Sequence, residues 1–391
     1  MNYGKQIRHK WLLEDGMTFL NNGSFGATPI EVLAVQREWQ ERLERQPLRF
    51  VMRELPVALR SAANQMGEFI GAAGEDIVFV DNATTGVNAV VRSLIGTLQP
   101  GDELLTTSHV YNAVRQTMLY VCKVTGAVYK EVEVPFPVQS SGDVLERIKH
   151  AITPRTRFAM FDHITSPTGI IFPVKEIVQH CKEHGILVMI DGAHAPGMVD
   201  LNVEDIGADW YTGNFHKWLF APKGCAFLHA TKQQQATTHA TLISHGYNMG
   251  FHAEFDFNGT KDWSSYLSAT AGLEFFRQNG GAELRAYNHA LTLQARNELL
   301  RAVPQQLPAP DDMLGSLAAI VLPVELEEQG DPIKQTTAMH DVLWDKHNIE
   351  VPIFPLSGKI LLRVAVQCFN ELPEYQHCAS VLQTMYNSNN A

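Results

Sequence analysis

Short apolar runs alternate with helical patterns through the first two-thirds of the chain. The predicted strands are 76–81, 102–107, 127–135, 157–164 and 186–194. Helical spacing of apolar residues predicts helices over 84–98, 111–124 and 174–185. The run at 186–194 is continuously apolar before it ends in an acid, which is typical of a strand covered on both faces. This alternation of strands and helices predicts a mostly parallel sheet in an α/β domain.

The pattern changes near Asp256. Two helical stretches, 266–278 and 286–302, are followed by a proline-rich segment at 303–312. The remaining predicted elements are a strand at 316–324, a helix at 333–347, a strand at 359–366 and a helix at 372–386. This order predicts a smaller α+β unit after the α/β domain.

Composition narrows the class of protein. The 391 residues are 45% hydrophobic and 19% charged, which excludes collagen-like, disulfide-scaffold and wholly disordered chains. With 31 Lys and Arg against 42 Asp and Glu, the net charge is −11, which argues against nucleic acid as a partner. The five cysteines form no C-x-x-C pair, as expected for free thiols in a reducing compartment. No apolar run approaches the roughly 18 residues of a membrane span, and the N-terminus lacks a signal-peptide core. We therefore expect a cytoplasmic protein without a membrane partner.

One lysine lies in an unusual setting, the block DWYTGNFHKWLFAPKGCAFL at 209–228. Lys217 follows His216 and precedes an aromatic, apolar run. A lysine is ordinarily a solvated surface residue, and that remains the plain alternative. Burial would instead lower the pKa of its amine and make the neutral form available to form an imine.

An acid ends the strand predicted at 186–194. In open α/β sheets, ligands bind at the carboxyl ends of the strands, where Asp191 is expected. The residue could be only a turn residue or a helix cap. A functional carboxylate at this place could keep a pyridinium nitrogen protonated.

A third segment, Asn82-Ala83-Thr84-Thr85-Gly86, joins a predicted strand to a predicted helix. Small and hydroxyl residues at a helix N-terminus suit a phosphate, because the free N–H groups and the helix dipole attract anions. An ordinary Asn or Thr cap is the alternative. The segment is not a Walker loop, and no well-placed G-x-G-x-x-G supports a dinucleotide. Neither H-E-x-x-H nor a cysteine pair at zinc spacing is present, so we expect no metal.

The order of a phosphate loop, an acid at a strand end and a lysine 26 positions later matches what pyridoxal 5'-phosphate requires. Here the sequence resembles the class V aminotransferase group of fold-type I pyridoxal-phosphate enzymes, in its isopenicillin N epimerase-like branch, which includes hercynylcysteine sulfoxide lyases. The likeness runs from LNNGSFGATP (20–29) to LLRVAVQCFN (361–370), and N-F-H-K-W-L-F-A-P-K-G is its most specific part. It implies a large cofactor domain at 16–257 with a mostly parallel seven-stranded sheet. It also implies a small α+β domain at 258–391, packed with an N-terminal segment at 1–15.

The resemblance also implies residue roles. The implied cofactor-binding residues are Ala83, Thr84, Thr85, Tyr111, Thr165, Asp191, His194, Asn214, His216, Lys217 and Thr260. Lys217 would form the Schiff base and carry the Cα proton, Asp191 would pair with the ring nitrogen, and Tyr111 would stack on the ring. His194, the fourth residue with an implied catalytic role, would lie on the phenolic-oxygen side. At Thr165 and Ser166 the T-S-P-T-G sequence departs from the asparagine-rich form of relatives.

Substrate contacts and assembly are implied in the same way. Asn22 and Gly23 match a segment that lies over the substrate, and Arg363 matches the arginine that binds the substrate α-carboxylate. Thr260 would reach the phosphate of the neighbouring subunit, which predicts a homodimer. Plain alternatives are an edge or interface cation for Arg363, a core tyrosine for Tyr111 and a satisfied loop histidine for His194.

Arginines are frequent in the segment 39–56. A solvated amphipathic helix with ion pairs is the simplest interpretation. Because the segment follows the implied substrate contacts, Arg49 or Arg53 could instead meet a second anionic group of the substrate.

The reaction implied is chemistry at Cα of an amino acid, and epimerisation, C–S cleavage and transamination share its first steps. A cysteine desulfurase would need a mobile nucleophilic cysteine, and none of the five lies in an evident flexible loop. A stacked Tyr111 could not easily shuttle protons, which favours elimination over epimerisation, although the whole chain matches the epimerase-like branch. A catalytically inactive relative and an unrelated phosphate-sugar enzyme on an α/β fold are the remaining alternatives.

Overall fold

The computed structural model describes residues 2–327 and 329–387. Its strands are β1 (Thr18–Phe19), β2 (Ile77–Val80), β3 (Glu103–Thr107), β4 (Val128–Val132), β5 (Thr156–Asp162), β6 (Leu187–Asp191), β7 (Trp210–Asn214), β8 (Ala226–Ala230), β9 (Leu317–Val321), β10 (Ile349–Glu350), β11 (Ile353–Leu356) and β12 (Lys359–Ala365). Its α-helices are α1 (Asn22–Phe25), α2 (Ile30–Arg45), α3 (Pro47–Arg49), α4 (Leu55–Ile70), α5 (Ala83–Ser93), α6 (Asn112–Thr125), α7 (Ser141–Ala151), α8 (Val174–Glu183), α9 (Val203–Ile206), α10 (Phe215–Trp218), α11 (Lys232–Gln235), α12 (Phe251–Asp256), α13 (Ser264–Leu267), α14 (Ala269–Gln278), α15 (Ala282–Ala302), α16 (Pro332–His347) and α17 (Leu372–Asn387).

A seven-stranded sheet of order β2-β8-β7-β6-β5-β3-β4 forms the centre of the molecule. β8 runs antiparallel to both its neighbours, and the other pairs are parallel. The predicted seven-stranded, mostly parallel sheet is thus confirmed. In β2, β3, β7 and β8 every residue is buried, because helices cover both faces of the sheet.

The C-terminal unit has a three-stranded antiparallel sheet of order β11-β12-β9. It is the smaller unit that the pattern predicts after residue 256. The N-terminal segment lies against it, since the Gly4 N–H donates to the Cys368 carbonyl at 2.7 Å and Arg8 pairs with Glu374 at 3.4 Å. β1 also pairs with β10, so the chain contacts the C-terminal unit again at residues 18–19. The domain boundaries at 15 and 257 stay a prediction.

No helix among the described residues is long and apolar enough to cross a membrane.

A tight turn at Gly26 brings the chain close to Lys217. Gly26 has φ +73°, and a Cβ built there would lie 1.9 Å from the His216 carbonyl oxygen. We expect Gly26→Ala to lower the free energy of unfolding by about 1–3 kcal/mol from backbone strain alone, and by more from the clash. Gly101→Ala is the control, because Gly101 has φ +89° but nothing within 4 Å of its Cβ. Equal losses in urea unfolding for the two variants would contradict the close approach.

Candidate active site

A cavity of ≈ 540 Å³ opens at the carboxyl edge of the parallel strands. Its lining side chains and loops come from the ends of β2, β5, β6 and β7, and from the turn at 22–27. The lining residues are Ser24, Phe25, Asp81, Asn82, Ala83, Thr84, Thr85, Tyr111, Asp162, Ile164, Ser166, Asp191, Ala193, His194, Asn214, His216, Lys217, Lys223 and Gly224. The structure therefore brings together the predicted phosphate loop, acid and lysine, although the loop lies more than a hundred residues before the acid and the lysine in sequence.

Lys217 lies in the short helix α10, immediately after β7. Its Nζ is 3.3 Å from His194 Nε2, and His194 Nδ1 accepts from the Trp218 indole N–H at 3.2 Å. Since an indole nitrogen only donates, a neutral His194 carries its proton on Nε2. That N–H points to Lys217, so the amine must be the acceptor. The hydrogen-bond pattern therefore requires an unprotonated Lys217.

Electrostatics agree with this protonation pattern. Burial and the nearby Arg363 charge together lower the pKa of Lys217 to about 7, against the opposing effect of Asp191. Burial, with Lys217 and Arg363 nearby, also lowers the pKa of His194 well below its ordinary range. A neutral amine is the form that attacks a carbonyl and removes a proton, so Lys217 in this site can act as a nucleophile or as a base.

The depressed Lys217 pKa predicts a pH dependence of stability. Between pH 7 and 10.5 the unfolded chain holds a proton on this lysine that the folded chain does not, so the free energy of unfolding rises with pH there. We expect the stability of the wild-type apoprotein, relative to Lys217→Met, to increase across this window in urea unfolding. A pH-independent difference between the two proteins would contradict the lowered pKa.

Asp191 ends β6 and is 4% exposed. Its Oδ1 accepts from the Ala193 N–H at 2.9 Å. Burial raises its pKa, while the Ala193 N–H and Lys217 act in the opposite direction. The carboxyl faces the cavity without a salt bridge to any lysine or arginine among the described residues, which leaves it available to a cationic ring nitrogen.

The N-terminus of α5 forms the other end of the cavity. Asn82 caps the helix by accepting from the Thr85 N–H at 2.9 Å, and the Ala83 N–H donates to Asn214 Oδ1 at 2.9 Å. His216 donates Nδ1–H to the Cys225 carbonyl at 2.9 Å, which fixes the ring at the cavity wall. A Cβ at Gly86 would lie 2.4 Å from Thr212 Oγ1, so only glycine lets this helix start pack so close to β7. With the Ala83 and Thr85 N–H groups occupied in this way, the helix start offers a phosphate its dipole and the Thr84 N–H.

Arg363 is buried without an acidic partner. The side chain is 1% exposed and crosses the Phe354 ring at 5.1 Å. Its guanidinium donates to the Ser166 carbonyl and, at 3.3 Å each, to the Ser166 and Ser24 hydroxyls, while Nε has no partner among the described residues. Burying an unpaired charge is costly unless a counter-ion arrives. Arg363 is not among the described residues that line the cavity, but it lies behind Ser24 and Ser166 of the cavity wall with a charge that suits a carboxylate.

The N-terminal turn is held directly against the lysine. Asn22 Nδ2 donates to the Lys217 carbonyl at 3.1 Å, and its Oδ1 accepts from the Ala27 N–H at 3.0 Å. A Cβ at Gly23 would lie 3.4 Å from an Arg363 nitrogen. These two residues place the turn between the lysine and the arginine.

The structure places four residues with predicted site roles on the open side of the cavity, behind its wall or on the protein surface. Tyr111 is 47% exposed and lines the open side of the cavity. Thr165 is fully buried, and its hydroxyl is hydrogen-bonded to the Thr168 hydroxyl at 2.6 Å. Of Thr165 and Ser166, it is Ser166 that lines the cavity. Arg49 and Arg53 lie on the surface, where Arg49 pairs with Glu54 at 3.1 Å.

Thr260 is exposed and is not brought to the cavity of its own chain. The next residue, Lys261, donates to the Tyr266 hydroxyl at 2.9 Å, and that hydroxyl donates to Asp81 at the cavity rim. The segment is therefore near the rim, as a contact reaching another subunit would require.

Sequence reasoning missed several lining residues, among them Asp162, Lys223 and Ser24. Asp162 ends β5 as Asp191 ends β6, and that shared position was a usable signal. Lys223 lies in a loop and Ser24 in the short helix α1, and only the three-dimensional structure brings them to the cavity.

These features define the class of protein. The family model for aminotransferase class V matches residues 27–324, so the chain belongs to that family. A probable chloroplastic L-cysteine desulfhydrase of Arabidopsis thaliana is 33% identical, with 91% of this chain and 80% of that protein covered. An isopenicillin N epimerase of Amycolatopsis lactamdurans is 29% identical over 97% of both. The apo cysteine desulfurase of Thermococcus onnurineus NA1 has the same fold, with a TM-score of 0.81, 19% identity and 99% of both chains covered.

The resemblance stated from the sequence is thus confirmed at the level of the family. The protein is an enzyme of this family, and its cofactor is pyridoxal phosphate. The residues present fit the cofactor: a helix N-terminus for the phosphate, Asp191 for the ring nitrogen and a neutral lysine for the aldehyde.

Proposed function

We propose that this protein is a C–S lyase that eliminates sulfur from L-cysteine or a small cysteine derivative. The observation that carries the proposal is the neutral Lys217 amine, which faces the cavity beside an unpaired Arg363. Together they supply a base for a Cα proton and a counter-ion for the adjacent carboxylate. The similarity to L-cysteine desulfhydrases supports the choice of substrate.

Bound pyridoxal phosphate would supply an electron sink for the carbanion at Cα. Arg363 would bind the substrate carboxylate and orient the Cα–H bond toward Lys217. Lys217 would take that proton, and the Cβ–S bond would break with its electron pair leaving on sulfur. Asp191 would hold the positive charge of the ring nitrogen. Hydrolysis of the released enamine gives pyruvate and ammonia.

The burial of the cysteines favours release of sulfide into solution over transfer of sulfur to a cysteine thiol of the protein. All five are buried and free. Burial raises the pKa of Cys122 to about 11, and those of Cys181 and Cys378 to about 12. A buried thiol with a raised pKa is a poor nucleophile. No cysteine is among the described residues that line the cavity.

Epimerisation is the second candidate. It is favoured by the relatives that cover nearly the whole chain, the isopenicillin N epimerases. It needs an acid on the ring face opposite Lys217, and Tyr111 on the open side is the available group. Transamination shares the same residues and would yield a keto acid without sulfide.

The assembly we propose is a homodimer in which Thr260 contributes to the neighbouring phosphate site. The exposed position of Thr260, next to the Asp81 rim, supports this role. A cytoplasmic location is supported by the five unpaired thiols.

The deciding experiment gives the purified, cofactor-loaded enzyme L-cysteine in deuterated water and measures sulfide, pyruvate and deuterium at Cα. We expect equal amounts of sulfide and pyruvate. Deuterium exchange with inversion and no sulfide would instead identify an epimerase. Cys225→Ala is the control for sulfur transfer, since Cys225 is the cysteine beside His216. Full sulfide release by this variant is expected, and its loss would reject direct elimination.

A further inference from the structure

Two buried carboxyl groups lie side by side at the edge of the sheet. Asp162 ends β5, Asp191 ends β6, and their Cα atoms are partners in the parallel register. They are 3% and 4% exposed, and both line the cavity. Only Asp191 has a role in the function proposed above, so Asp162 needs an explanation of its own.

The surroundings of the pair cannot neutralise two negative charges. Asp162 Oδ2 is buried without a hydrogen-bond partner, and no salt bridge among the described residues joins either carboxyl to a lysine or arginine. Two carboxylates this close in a low-dielectric site cannot both ionise readily, so the pair titrates as a unit that retains a proton.

The groups packed against each carboxyl indicate where the proton lies. The Ala193 N–H, which donates to Asp191 Oδ1 at 2.9 Å, stabilises a charge on Asp191. On Asp162 its own backbone N–H, that of Tyr111 and Arg115 act in that sense, but Oδ2 has no hydrogen-bond partner among the described residues and the Arg115 guanidinium is already bonded to Glu131 at 2.9 Å. Burial and the charge on Asp191 raise the pKa of Asp162 well above its ordinary range. The proton therefore belongs on Asp162.

We propose that Asp162 is a neutral acid in the folded protein and shares a single negative charge with Asp191. Asp162 is then a positioning residue: its proton keeps the carboxyl pair at one negative charge, which matches the one positive charge of a pyridinium ring. Asp162 lines the cavity and its Oδ2 has no hydrogen-bond partner among the described residues, so a proton there is free to be donated to a ligand atom. An ionised Asp162 would add a second charge and draw the ring proton toward the carboxyls.

The test is infrared spectroscopy of the apoprotein at pH 7, where a protonated carboxyl gives a C=O band distinct from carboxylates. We expect Asp162→Asn to remove one such band. Asp102→Asn, which alters a half-buried carboxylate paired with Arg157, should leave the band intact. A band of equal intensity in wild type and Asp162→Asn would overturn the proposal.

A second variant keeps the proposal testable if Asp162→Asn does not fold. In Asp191→Asn the neighbouring charge is gone, so Asp162 should lose its proton at a pH lower by roughly one unit or more. An unchanged midpoint for the C=O band would show that the two groups do not share a charge, and would overturn the proposal.

Cofactor binding gives an independent readout. Because asparagine resembles a neutral acid in shape and charge, Asp162→Asn should bind pyridoxal phosphate with an affinity within about tenfold of wild type, a difference under 1.4 kcal/mol. A larger change would indicate an ionised Asp162 and reject the assignment. These measurements use no amino acid substrate, so their failure is separable from failure of the proposed lyase activity.

Discussion

Replacing Lys217 with alanine should abolish turnover while leaving the fold intact. The amine is the base closest to the reacting carbon in the proposed reaction, and positioned bases contribute about 10²–10⁴ in rate. Since Lys217 would also hold the cofactor covalently, we expect kcat for pyruvate release to fall by at least about 10³-fold. Its buried amine has one neutral partner, His194 at 3.3 Å, so its loss removes little stabilising contact.

The covalent link can be measured separately from turnover. Reduction with borohydride should fix the cofactor irreversibly to wild-type protein but not to Lys217→Ala, as seen by mass spectrometry. Lys232→Ala is the control, because Lys232 is exposed and pairs with Asp76 at 2.8 Å away from the cavity. Fixation of the cofactor to Lys217→Ala, or turnover within tenfold of wild type, would disprove the assigned role.

Much of the fold was predictable because the parallel sheet is made of continuous apolar runs. β2, β3 and β5 begin and end within two residues of the predicted runs, and β6 ends three residues before the end of its run. β7 and β8 were not predicted as strands, because they lie in the 209–228 block, where polar site residues interrupt the apolar pattern. Local periodicity cannot identify a strand whose residues serve the site as well as the core.

The site was predictable wherever chemistry follows a strand end. Asp191 and Lys217 stand out in the sequence, because an acid after an apolar run and a lysine within one are both unusual. Asp162 follows the same rule but was passed over as part of a strand. Thr165 was predicted at the site, but its hydroxyl is bonded to Thr168 in the interior and Ser166 lines the cavity instead. The sequence does not show which of two neighbouring side chains points into the cavity.

The second large effect is expected at Arg363. Arg363→Met should lower kcat/KM for L-cysteine by about 30-fold to 4 × 10³-fold, because losing one partner of a buried charge pair costs about 2–5 kcal/mol. The same variant should unfold at no lower temperature than wild type. In the apoprotein the guanidinium is buried without a counter-ion, so a methionine of similar length removes a desolvated charge and loses only bonds to two serines.

A substrate without a carboxylate isolates the contact. Cysteamine should be as poor a substrate for wild type as L-cysteine is for Arg363→Met, and the variant should not discriminate between the two. The matched control is Arg296→Met, because Arg296 is equally buried but pairs with Asp311 at 2.6 Å outside the cavity. That control should lose about 1–3 kcal/mol of stability and keep its kcat/KM. If Arg363→Met lost stability in the same way while still selecting L-cysteine over cysteamine, Arg363 would be a structural cation and the carboxylate would bind elsewhere.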